Sequence, residues 1–84
     1  MGQKIAIIDD NRSLCESLRL ALTMEGFEID TYVNGEDALQ GIQERPVDLA
    51  LLDILMPRLN GFDVLRRLRK LSAMPVIFLT SKCD

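Results

Sequence analysis

Apolar positions along this chain follow two alternating patterns. Residues 4–8, "KIAII", form a short continuous apolar run, the signature of a strand covered on both sides. "SLCESLRLALTMEG" follows, with Leu14, Leu18, Ala21 and Leu22 at helical spacing and Gly26 as a natural helix stop. In residues 27–33, Phe27, Ile29, Thr31 and Val33 alternate with polar neighbours, which suits a strand near a sheet edge. Asn34 is a candidate cap for a helix carrying Ala38, Leu39 and Ile42, and Pro46 breaks that helix. A third strand is predicted at residues 49–55, "LALLDIL". The next helix shows Phe62, Leu65, Leu68 and Leu71 at helical spacing, and Pro75 introduces a fourth strand, "VIFLT". The predicted order is β-α-β-α-β-α-β. Such alternation implies an α/β fold, a doubly wound parallel sheet with helices on both faces.

Size and composition narrow the function classes. The chain has 84 residues, 48% of them apolar and 27% charged, which allows one core and argues against disorder. A net charge of −3 gives no support for nucleic-acid binding by this segment. The basic cluster "RRLRK" at residues 66–70 interleaves with Leu65, Leu68 and Leu71, so it reads as the solvated face of a helix. The absence of histidine removes Ser-His and Cys-His catalysis and the usual zinc sets. Cys15 and Cys83 match no metal or redox spacing, and Cys15 falls on the apolar side of its helix as a reduced core thiol. No segment resembles a signal peptide or a membrane anchor, so a cytoplasmic protein is expected.

Candidate chemistry gathers at the strand ends. Asp9 and Asp10 directly follow the first strand, Asp53 lies near the end of the third, and Thr80 ends the fourth. In open parallel sheets, ligands bind at the carboxyl ends of strands, where strand order reverses. If the first strand lies beside the third, three carboxylates meet on one rim, and a hard divalent cation would offset their repulsion. A "DD" after a strand can instead simply cap the next helix. The surroundings of Asp53, "DILMPRLNG", shift the balance, because Met56-Pro57 forces a turn and Gly61 opens a helix.

With the acidic pair Asp9-Asp10, the "D-x-x-M-P" at residues 53–57, Gly61 and the "T-S" at residues 80–81, the chain resembles the receiver domains of two-component response regulators. The likeness spans residues 4–82 and is nearest to OmpR-type transcriptional regulators. It implies a flavodoxin-like sheet of strand order 2-1-3-4-5, the order known for a receiver of this type. It also implies Asp53 as phosphoacceptor and a Mg²⁺ site formed by Asp10, Asp53, the Leu55 backbone carbonyl and, through water, Asp9. Thr80 would hydrogen-bond a phosphoryl oxygen. The implied partner is a sensor histidine kinase, the output transcription through a DNA-binding domain elsewhere in the full-length protein, and no metabolite is turned over.

Residues 1–84 would be the N-terminal two-thirds of a complete receiver. The remainder, an α-β-α portion of about 35 residues, is close to one βαβ-type unit. No residue here takes the role of the family's lysine after strand five, Lys82 included. Strand four, Val76 to Thr80, is apolar on both faces and is expected to be interior; without strand five it would become an edge and invite edge pairing or segment exchange between copies of the chain. The alternative is a degenerate receiver acting only as a protein-interaction module. A haloacid-dehalogenase-type phosphatase wants D-x-D where this chain has Asp9 and Asn11, and an EF-hand loop from Asp9 fails at Leu14, where glycine is required.

Overall fold

The computed structural model describes residues 2–54 and 61–79. Its elements run β1 (Lys4–Ile8), α1 (Arg12–Met24), β2 (Glu28–Tyr32), α2 (Gly35–Glu44), β3 (Leu49–Asp53), α3 (Gly61–Leu71) and β4 (Val76–Leu79). All seven elements expected from the periodicity are present, in that order. The strands form one parallel sheet of order β2-β1-β3-β4. β1 is therefore central, and the alternating strand β2 lies at an edge, as expected.

The order explains where the helices go. From β1 the chain steps one way to β2, then crosses back over β1 to β3 and continues to β4. Right-handed crossovers running in opposite directions place their helices on opposite faces. On one face Ala6, Ile8, Tyr32, Ala50 and Leu52 pack with Ala38 and Ile42 of α2 and Val64 and Leu68 of α3. Ile5, Ile7 and Cys15 are buried outside that cluster, on the α1 side, as the strand alternation requires.

Local signals set the element ends. Asn11 caps α1, its side-chain oxygen accepting the Leu14 N–H at 3.1 Å, and Asn34 caps α2, accepting the Asp37 N–H at 2.8 Å. Gly26 follows α1 at φ 98°, a conformation that a side chain would strain.

Two details differ from the periodic reading. On α3 the residues at zero exposure are Val64 and Leu68, with Leu65 partly buried, whereas Phe62 is 61% and Leu71 43% exposed. Val64, Leu65 and Leu68 form the stripe packed against the core, and the apolar residues at the two ends of the helix keep contact with solvent. Phe62 still meets Phe78 of β4 in a tilted ring contact, with centroids 5.3 Å apart and planes inclined by 52°. On α1 only Cys15 is fully buried; Leu14, Leu18 and Leu22 are half-buried and Ala21 is exposed. The basic run on α3 is solvated as expected, with Arg66 paired to Asp63 and Arg69 donating to the Met74 carbonyl.

Candidate functional site

β1 and β3 are direct neighbours, with Ile8 opposite Leu52, so the residues that follow Ile8 and Leu52 emerge together at the carboxyl rim. This is also where the order reverses, because β2 lies on one side of β1 and β3 on the other. Parallel pairing thus makes neighbours of residues more than forty positions apart in sequence. Carboxylate oxygens of Asp9, Asp10 and Asp53 lie within 4.8 Å of one another. Asp9 and Asp53 are fully buried, and Asp10 is exposed at the rim.

The surrounding hydrogen bonds fix Asp9 in place. Its main-chain N–H donates to the Tyr32 carbonyl at 3.0 Å, continuing the β1–β2 ladder by one residue. Its Oδ1 accepts the Asn11 N–H at 2.9 Å, and its carbonyl oxygen accepts the Cys15 thiol at 3.3 Å. Its Oδ2 is buried with no hydrogen-bond partner among the described residues. The helix cap is Asn11, so the acidic pair is not spent on capping α1.

The electrostatics follow from this placement. Burial pushes the Asp9 carboxyl above its ordinary value; the Asn11 N–H pulls it down, and the neighbouring charges of Asp53 and Asp10 push it further up. Burial likewise raises the Cys15 thiol, with the Asp9 charge adding to the effect, so Cys15 stays protonated and able to donate.

A buried carboxylate oxygen without a donor, beside two more carboxylates, is a donor set suited to a hard divalent cation. The residues present therefore fit Mg²⁺. Close contact between α3 and β3 further shapes the rim. The Gly61 N–H donates to the Ile54 carbonyl at 2.9 Å, and a Cβ at Gly61 would lie 2.6 Å from Ile54 Cα and 2.7 Å from the Asp53 carbonyl oxygen. Gly61 thus lets the start of α3 sit directly against the acidic residue.

The structure brings together Asp9, Asp10 and Asp53, while Leu55 and Thr80 lie outside the described residues, as do Met56, Pro57, Lys82 and Cys83. Sequence reasoning missed the parts played by Asn11 and Cys15. Asn11 could have been found from cap preference, since it immediately precedes the periodic run of α1. The thiol–carbonyl contact has no sequence signal. Among the described residues no helix is long and apolar enough to cross a membrane.

Comparison with known proteins agrees with this geometry. The response regulator receiver domain family matches residues 5–84. The chain is 43% identical over 84 residues to the DNA-binding response regulator MtrA of Mycobacterium tuberculosis, covering all of this chain and 37% of that protein. A CheY-like response regulator receiver domain protein from Methanospirillum hungatei superposes with a TM-score of 0.93 at 28% identity, over 100% of this chain and 68% of that one. The response regulator TrrA from Thermotoga maritima, solved in complex with Mg²⁺-BeF, superposes with a TM-score of 0.87 at 38% identity, over 95% of this chain and 70% of that one. The chain thus spans a little over a third of the length of its curated relative.

Proposed function

The chain belongs to the response regulator receiver domain family, and from that premise we propose that it accepts a phosphoryl group on Asp53 from a partner histidine kinase, in a Mg²⁺-dependent reaction that controls transcription. The observation that carries this reading is the convergence of Asp9, Asp10 and Asp53 within 4.8 Å at the reversal point of the sheet.

Each residue has a task in the reaction. A carboxylate oxygen of Asp53 attacks the phosphorus of a phosphohistidine; a new O–P bond forms as the N–P bond breaks, and the imidazole leaves with the bonding electron pair. The product is an aspartyl phosphate, which water later hydrolyses. Phosphoryl transfer depends on positioning and on neutralising charge at the phosphoryl oxygens. When bound, Mg²⁺ would supply that neutralisation. Asp10, Asp53 and the Leu55 carbonyl would hold it directly and Asp9 through water, while the Thr80 hydroxyl would donate to a phosphoryl oxygen. Asp53 sits at the end of a paired strand, which fixes its backbone before the donor arrives. The protein turns over no metabolite; its phosphorylated state is the signal. A DNA-binding segment in the full-length protein would read it, by analogy with the relative described as a DNA-binding response regulator.

Incubation with a small phosphodonor and Mg²⁺, followed by intact-mass analysis, tests the proposal. The parent protein should gain one phosphoryl group and Asp53→Asn none. Equal labelling of both would end the phosphoswitch reading, and no labelling of either would favour a receiver that serves only as an interaction module.

A further inference from the structure

We infer that Cys15 is a positioning residue for the acidic cluster: through its bond to the Asp9 carbonyl it orients the Asp9–Asp10 peptide so that both carboxylates serve divalent-cation binding. The inference rests on the cation-binding reading above and extends it to a side chain that ligates nothing.

The argument starts from how the turn between β1 and α1 is held. The amide of Asp9 is tied to β2 through the Tyr32 carbonyl at 3.0 Å, and its side chain is tied to Asn11 at 2.9 Å. The orientation of the following peptide is a separate degree of freedom. Asp10 comes after the last paired residue of β1 and is exposed, so no strand ladder fixes it. Turning the Asp9–Asp10 peptide moves the Asp9 carbonyl in one direction and the start of Asp10 in the other. Cys15 meets that carbonyl at 3.3 Å from a buried position on α1, itself only 4% exposed.

Helix α1 therefore grips the turn twice. The Cys15 main-chain N–H donates to the Asn11 carbonyl at 3.0 Å, the first regular bond of the helix, and its thiol reaches back to Asp9. Without a donor at position 15, the Asp9 carbonyl gains by rotating toward water, and Asp10 moves with it. The other independent mark of the site is Asp9 Oδ2, fully buried and without a partner among the described residues, which needs its neighbours correctly placed around a cation.

The test uses the full chain and Mg²⁺ alone, with amide chemical shifts as the readout, in Cys15→Ala, Cys15→Val and Cys15→Ser. Alanine and valine both remove the donor, and valine still fills the space, so packing and hydrogen bonding separate. Partners that orient metal ligands matter by about 10- to 100-fold in affinity. A thiol is a weak donor, so a loss near the low end of that range, about five- to tenfold, is expected for Ala and Val, with Ser returning to within about twofold of the parent. The Asp10 and Asn11 amides should shift in Ala and Val without Mg²⁺ and return toward parent positions in Ser. Parent-like Mg²⁺ binding by Cys15→Val would overturn the inference alone, as would a folded Cys15→Ser that binds no better than Cys15→Val. A parent protein that shows no Mg²⁺ response would instead overturn the cation-binding reading, and the inference with it.

Discussion

Replacing Asp9 with asparagine should stabilise the cation-free protein, because the group removed is a buried charge among like charges. Asp9 is fully buried, and carboxylate oxygens of Asp9, Asp10 and Asp53 lie within 4.8 Å of one another. Two unit charges at that separation repel by about 3 kcal/mol at an effective dielectric of about 20. The figure is an upper value for Asp10, whose exposure screens it. Burial and the charges of its neighbours raise the Asp9 carboxyl above 3.8, its ordinary value, so the folded state holds this proton more tightly than the unfolded chain does. Stability falls with rising pH wherever the folded state binds more protons. The penalty from Asp9 is therefore absent below 3.8, grows as pH climbs toward the raised folded value, and is fully present above it. Its steepest slope is about 1.4 kcal/mol per pH unit. Asparagine keeps an oxygen to accept the Asn11 N–H and offers an NH₂ toward the neighbouring carboxylates. Urea unfolding at a series of values from about pH 4 to 8 measures the effect. The parent should lose stability across that window and Asp9→Asn should lose less, ending more stable by about 1–3 kcal/mol at neutral pH. A variant less stable than the parent at neutral pH, with a parallel pH profile, would refute this account of the cluster.

Three further outcomes follow from the packing. Leu68→Ala should cost about 2–5 kcal/mol because the side chain has no exposure, whereas Phe62→Ala, at a site 61% exposed, should cost about 1 kcal/mol; urea midpoints at equal m-value check both. Gly61→Ala should destabilise by about 1–3 kcal/mol, since its Cβ meets Ile54 Cα and the Asp53 carbonyl rather than a movable side chain, and Mg²⁺ titration of the variant should show weaker binding. Asn11→Ala should cost about 1 kcal/mol and speed hydrogen exchange at Leu14, whose N–H loses its cap.

How far sequence alone reaches can be judged residue by residue. The β1 run "KIAII" and the helix from Gly61 to Leu71 occupy the positions their apolar pattern predicts, because a continuous apolar run and helical spacing are properties of neighbouring residues. Asn34 and Gly26 bound their helices for equally local reasons, a side-chain oxygen within reach of a free N–H and a backbone that can take positive φ. The three aspartates were legible as candidates, since each follows or ends an apolar run. Their meeting was conditional on β1 lying beside β3, and only long-range pairing and the handedness of the crossovers decide that adjacency. Tertiary packing also chose Val64 and Leu68 over Phe62 and Leu71 for the core, because only one stripe of α3 packs against it. It made unequal partners of Asp9 and Asp10, adjacent in sequence and identical in chemistry, by burying one beneath the turn and leaving the other in water. Burial depends on what the rest of the chain places above a residue, and no local pattern records it.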